Sequence, residues 1–485
     1  VSEATAETTT AAPAAAGAKT GSAYSYYVLI LLTGVYTFNF IDRQIIGIIS
    51  PLIKQDLGLN DSQLGLLKGF AFALFYTVLG IPIARMADRM NRTTIVSVSL
   101  ALWSGFTALS GMAQNFVQLA AARVGVGVGE AGGTPPSHSI ISDYFDKERR
   151  PFAMAVYAMG IPIGIALGYF AFAWLLSALQ TGGVEDPSIW RTAMLIVGLP
   201  GVGLALLLKL TVREPERGAA DGRIAVRAEG AKKPLAKAIA EEFAEVFLAA
   251  KALWTIPTYA LMGAGITFAS FGAYAIGTWI VDFFTRTHPE MPLTTVLVWL
   301  GFINAIAYSI GTFLGGAVTE HLAKKNKAMY GWVPAAALLL NGPCFLASMW
   351  APTATWSMIF WLPSHLTIGF YLGPTFAVAQ TLAPVRYRAL STAVLFFVLN
   401  LIALGLGPSF VGILSDILAG GMAERIAAVQ GVGLEEARTL AEGPALRIAL
   451  SSVIVTGLLG AAAYFMAGRF VERDWAKAEA EAAIA

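Results

Sequence analysis

The chain has 485 residues, of which 56% are hydrophobic and 13% charged, and its formal net charge is +2. An ordinary soluble domain carries about 25% charged residues, so a soluble fold of this size would lack the charge to cover its surface. The near-neutral total points to neither a nucleic-acid binder nor an acidic scaffold. A single cysteine, Cys344, excludes an intrachain disulfide framework, and no metal or cofactor site is expected from four dispersed histidines. The composition describes an all-α polytopic membrane protein.

Residues 1–23, rich in Ala, Thr and Ser, lack the apolar core of a signal peptide and read as a disordered tail. Twelve apolar runs follow, near 24–50, 62–86, 93–112, 117–141, 151–178, 190–211, 254–284, 293–320, 328–349, 354–382, 388–418 and 445–470. Each can cross roughly 30 Å of hydrocarbon. Prolines interrupt several, among them Pro82, Pro135, Pro136, Pro200, Pro374 and Pro408.

Eighteen Lys and Arg sit in the even connections against seven in and around the odd ones. That bias predicts two cytoplasmic termini in a multi-pass protein of the cell membrane. The longest connection, 212–253, separates a six-helix half (24–211) from a second (254–470), and 471–485 forms a cytoplasmic tail. Its second part steps Leu235, Ile239, Phe243, Val246 and Phe247 between Lys237, Glu241, Glu242 and Glu245, an amphipathic helix on the cytoplasmic surface. Asp88 and Glu320 lie in similar short connections, and Pro136…Arg150 recurs as Pro374…Arg388. Two similar halves are the pattern of a rocking transporter with its site between them near mid-depth.

Ionisable residues in mid-span are costly, and each is a functional candidate. Four stand out: Asp42 and Arg43 in span 1, and Arg123 and Glu130 on one face of span 4. Two readings remain open. Their charges cancel, so they can form a structural network joining spans 1 and 4. Alternatively the network switches. An acid whose arginine moves away takes up a proton, and a freed Arg43 or Arg123 grips an anionic substrate group. In this reading Glu130 is the substrate-linked acid and Asp42 the proton carrier, with the reverse order also open. The second half offers Asn304, Trp361, His365, Tyr371, Gln380 and Asn400 at similar depth, a wall suited to an amphipathic ligand.

The run Gly127-Val128-Gly129-Glu130-Ala131-Gly132 matches a dinucleotide-binding pattern but sits inside a helix, where small residues at 125, 129 and 133 serve close packing. No hydrolase or phosphate-binding loop motif is present, so the chain is not read as an enzyme and its energy must come from a gradient.

The two halves and the stretch Ala84 to Arg92 resemble the major facilitator superfamily. The likeness implies a twelve-helix, pseudo-symmetric, alternating-access fold and a cytoplasmic gate at Asp88, Arg89 and Arg92; Ala84 and Asn91 stand where that family commonly has glycine. Asn39-Phe40-Ile41-Asp42-Arg43, with Val128-Gly129-Glu130-Ala131 and Ile140 to Phe145, resembles the Spinster family of that superfamily. A bacterial member is implied, in the inner membrane, moving a lysophospholipid or sphingosine-1-phosphate-like lipid in exchange with or driven by protons. Asp42, Arg43, Arg123 and Glu130 would then be its central polar site. Gly160-Ile161-Pro162-Ile163-Gly164 is similar to the span-5 stretch of antiporters. The same span-1 and span-4 motifs also resemble proton-coupled organic-anion symporters for hexuronate-like carboxylates. Substrate, protons and bilayer are the expected partners, with the protein acting as a monomer.

Overall fold

The computed structural model describes residues 22–179, 186–218, 220, 235–384 and 387–484; the side chains of residues 88, 235, 236, 238, 242, 388, 389 and 482–484 are outside that description. The expected tail therefore falls outside the described residues up to position 21, as does the polar part of the linker between 221 and 234. Every regular element among the described residues is helical.

Span 1 is one helix, Ala23–Leu57, started by the Ser22 hydroxyl accepting from the Ser25 amide and stopped by Gly58 at φ 62°. Span 2 begins with an Asn60–Gln63 capping box and is broken at Gly69 into Asp61–Lys68 and Phe70–Arg89. Spans 3 and 6 are Arg92–Ser110 and Ile189–Thr211. Span 5 is Arg150–Ala158 and Gly160–Leu179. In the second half, span 7 is Pro257–Thr287 and span 9 is Met329–Met349. Span 8 comprises Leu293–Ile303, a π turn over Asn304–Tyr308, and Ser309–Ala323. Span 11 has the same form: Arg388–Leu399, a π turn over Asn400–Leu404, then Gly405–Gln430. Span 12 joins Leu434–Ser452 to Ile454–Ile484.

Ten helical stretches among the described residues are long and apolar enough to cross a membrane. The remaining two crossings, spans 4 and 10, are each split near the middle. Span 4 is Phe116–Glu130 and Thr134–Tyr144, and span 10 is Ala354–Thr367 and Leu372–Leu382. The prolines at 135, 136 and 374 lie just inside the second segments, where a missing N–H costs least. Both breaks fall in the fourth helix of a half, so the twelve crossings keep the repeat. Outward-facing apolar side chains such as Leu210, Phe313 and Trp174 remain 66–75% exposed, a surface for lipid.

The halves meet through spans 1 with 7, 2 with 11, and 5 with 8. We call the side bearing the first residues of span 1 the terminal face, and the opposite side the far face. Spans 2 and 11 touch backbone to backbone near the far face: a methyl group on Gly65 would come within 2.7 Å of the Pro408 carbonyl oxygen. The described hydrogen bonds and ion pairs between the halves cluster at that same face, so the pathway is closed there.

Two regions differ from the sequence reading. Residues 419–444, expected as a connection, continue spans 11 and 12 as a helical hairpin with its own alanine core of Ala419, Ala423, Ala437, Ala441 and Ala445. The expected tail from 471 stays helical to Ile484. Its Ala, Glu and Lys content favours helix, and Trp475 stacks on Tyr330 of span 9.

Candidate substrate pathway and far-face lock

Span 1 turns Asn39 and Arg43 to one face, four residues apart. Glu130 is the last residue of the first span-4 segment. A carboxylate there faces the negative end of the helix dipole and needs a cation. Arg43 supplies it, its Nε donating to Glu130 Oε2 at 2.7 Å. The Glu130 side chain is fully buried while Arg43 keeps 15% of its side chain accessible. The Arg43 guanidinium lies 4.4 Å from the Tyr76 ring centre and 5.2 Å from those of Phe40 and Phe72. Arg123 approaches the same Phe72 ring at 5.5 Å, so one aromatic ring is shared by two cations.

Asp42 and Arg123 are each almost wholly buried, yet neither Asp42 carboxylate oxygen nor Arg123 Nε and Nη1 has a hydrogen-bond partner. Among the described residues the four charges make one direct contact rather than a closed network. The reason is helical geometry. Adjacent residues point about 100° apart, so Arg43 reaches span 4 while Asp42 turns toward Thr107 and Trp103 of span 3.

Across the pathway, Asn304 Nδ2 and His365 Nε2 are 3.1 Å apart, and the His365 ring lies 5.4 Å from Trp361 and 5.9 Å from Tyr308. Asn304 and Asn400 each open a π turn, a local distortion often found at functional sites. Tyr371 is buried and shares a 3.2 Å hydroxyl contact with Ser270, whereas Gln380 is exposed and bonds to Thr392.

At the terminal face Arg92 is 1% exposed and clasped by its own half and by the start of the connection that follows it. It meets Asp143 at 2.5 Å, Glu214 at 2.7 Å, the Ser139 hydroxyl at 2.7 Å and the Pro215 carbonyl at 2.9 Å. Glu214 also accepts from the Thr93 amide at 2.9 Å. Burial works to raise the Glu214 carboxyl, but that amide and Arg92 hold it below its ordinary value. Arg89 is exposed at the end of span 2, and the Asp88 side chain lies outside the described residues.

The sequence reading did not single out a charged lock at the far face. Lys68 Nζ meets Asp282 Oδ2 at 2.6 Å with both side chains fully buried, and sits 3.5 Å from the Trp279 ring centre. Asp282 also accepts from Ser50 at 2.6 Å and Arg286 at 3.2 Å. Asp61 takes Arg286 at 2.7 Å, Lys54 at 2.9 Å and the Ser415 hydroxyl at 2.7 Å. Lys54 reaches Glu442 of the hairpin at 2.7 Å. Asp416 accepts from the amides of Asp61 at 3.1 Å and Ser62 at 2.7 Å, so a residue of the second half caps a helix of the first. The available sequence signal was the pair Asp282 and Arg286, four residues apart in an apolar span.

The model of the Major Facilitator Superfamily matches residues 32–418. A crystal structure of a bacterial homologue of the human lysosomal transporter Spinster, in an inward-facing and unoccupied conformation, superimposes with a TM-score of 0.80. It is 31% identical and covers 93% of this chain and 98% of that one. The chain is a Spinster-type member of the major facilitator superfamily.

Similarity extends to an MFS-type efflux pump of Mycolicibacterium smegmatis, 29% identical over 448 residues and 92% of each chain. Protein spinster homolog 1 of Homo sapiens is 26% identical over 473 residues, 94% of this chain and 83% of that one. This Spinster-type protein is thus a multi-pass membrane transporter and not an enzyme, and its charged residues are read for transport.

Proposed function

We propose that this Spinster-type transporter moves an amphipathic anion, a lysophospholipid or sphingosine-1-phosphate-like lipid, by proton-coupled export or exchange through alternating access. The observation that carries the reading is Arg43: one N–H is spent on buried Glu130, aromatic rings flank the guanidinium, and part of the side chain stays accessible. A planar guanidinium with donors to spare grips a phosphate oxygen pair, and the rings around it suit the apolar part of the same molecule. Arg123, which shares the Phe72 ring, adds positive potential to that spot.

In this reading Asp42 is the proton carrier, because a wholly buried carboxyl with no cation in contact is better occupied by a proton than by a charge. Glu130 links the two, since it releases Arg43 when it takes a proton itself. The positive bias of the even connections puts the terminal face in the cytoplasm of a bacterial inner membrane. The closed far face and the likeness to an inward-facing homologue support a conformation open to the cytoplasm. Asp88 and Arg89 would close that mouth on the opposite half, with Arg92 as the fixed anchor of their loop.

The test is flux in proteoliposomes under an imposed pH gradient, comparing a labelled lysophospholipid with a labelled hexuronate. Gradient-dependent lysolipid flux that Asp42→Asn abolishes is the expected result. Hexuronate flux alone transfers the protein to organic-anion symport, and gradient-blind lipid flux removes the coupling. Arg43→Ala is expected to weaken binding of the phosphorylated lipid at least tenfold more than that of its dephosphorylated analogue; equal losses would make Arg43 structural.

A further inference from the structure

The linker helix Leu235–Leu253 carries a second interaction surface, independent of substrate identity. One side of it is docked on protein. Ala249 and Leu253 are fully buried in a cluster with Tyr259 of span 7, Ala379 and Ala383 of span 10, and Leu395 of span 11. The helix also packs against Phe70–Arg89 of span 2 as well as Arg388–Leu399 of span 11. It therefore bridges the two halves at the terminal face, across the cleft between spans 2 and 11.

The rest of its circumference is sorted by chemistry. Beside the docked side come Phe243 and Phe247, four residues apart on one face, 37% and 71% exposed. Next around the helix stand Lys251 and Lys237, both exposed, with Leu248. Glu241 and Glu245 follow on the side away from the phenylalanines. Protein, apolar, basic and acidic sectors follow one another in a single turn around the axis.

We propose that this helix is seated in the phospholipid leaflet on the terminal face. Phe243 and Phe247 enter the boundary between headgroups and acyl chains, Lys237 and Lys251 stand at the phosphates, and the acidic side stays in water. An interfacial helix needs this order, because its apolar face enters the boundary while lysine stems lie along the apolar zone with their ammonium groups at headgroup level. That charge order matches a lipid leaflet. A protein partner would leave no reason for lysines to separate the aromatic from the acidic sector. Because the same helix bears on spans 2 and 11, the leaflet supports one side of the pathway mouth.

Spin labels test the placement in vesicles of phosphatidylethanolamine and phosphatidylglycerol. With Cys344→Ser as background, Phe243→Cys, Phe247→Cys and Glu245→Cys are labelled singly and their relaxation by oxygen and by a water-soluble nickel chelate is compared. Labels at 243 and 247 are expected to respond to oxygen over nickel, with the order inverted at 245. Nickel access at 247 equal to that at 245 would lift the helix off the bilayer and overturn the proposal. Shielding of 247 from both reagents would replace lipid with a protein occupant and overturn it equally. Reversing both lysines, Lys237→Glu with Lys251→Glu, is expected to make label 247 shallower in these vesicles and to change it less in phosphatidylcholine alone. An unchanged depth removes the lysines from the phosphates and overturns their part.

Discussion

Lys68→Met is the sharpest perturbation of the far-face lock. In the closed state it leaves Asp282 buried with Ser50 and Arg286 as its remaining donors. Removing one partner of a buried pair costs about 3–5 kcal/mol. The contact joins spans 2 and 7 of opposite halves, so the cost falls on the state in which the far face is closed. A loss of about 3 kcal/mol shifts the equilibrium by roughly a hundredfold toward far-face opening. Replacing both partners, Lys68→Met with Asp282→Leu, leaves no orphaned charge and is expected to restore closure, since apolar replacement of a whole buried pair is often neutral or better. The assay is the distance between spin labels at Gln55→Cys and Glu424→Cys, both exposed positions on opposite halves, with Cys344 removed. Wild type should give the short distance, the single variant a longer population, and the double variant the short one again. A single variant that keeps the wild-type distribution would refute the lock, as would a double variant as open as the single one.

Phe72→Ala, which removes a buried ring that both guanidiniums approach, should lower stability by about 3–5 kcal/mol, and Phe72→Leu by less than half of that, read as melting temperature in detergent. Gly129→Ala should cost about 1–3 kcal/mol, because the added methyl would come within 2.6 Å of the Trp103 amide nitrogen. Gly34→Ala, with nothing within 4 Å, serves as the neutral control. The Glu214 clasp has a defined pH sign. A carboxyl held below its ordinary 4.5 contributes fully above that value, and the contribution is lost as pH falls through the depressed one. Exchange protection of the Thr93 amide should therefore hold from neutrality to pH 5 and fall only in stronger acid, and Glu214→Gln should lose it at neutral pH.

Much of the central site was legible because a charge in mid-span is expensive, so Asp42, Arg43, Arg123 and Glu130 had to mean something. Their pairing was not legible. Counting charges gives a neutral sum, but the helix turns Asp42 away from its neighbour Arg43 and leaves one contact where four charges suggested a network. The far-face lock was harder still. Lys54, Lys68 and Arg286 sit near span ends, where charge is cheap and carries little signal, and Lys68 meets Asp282 across 214 positions of sequence. Prolines marked the breaks in spans 4 and 10. Nothing in the residues marked the π turns that begin at Asn304 and Asn400.

The alanine-cored hairpin beyond span 11 works as a pointer. The run from Arg388 to Gln430 is about 60 Å long at 1.5 Å per residue, twice the roughly 30 Å of hydrocarbon. Its outer part, residues 419–430, thus carries the hairpin about 18 Å beyond the span on a nearly continuous rod fixed to the second half. A swing of that half by about 10° would sweep the tip by roughly 3 Å relative to its base, a displacement set by rod length alone. The tip turn at Gly431 is thus a natural place for a fluorophore or antibody fragment that reads the transport cycle from outside the pathway.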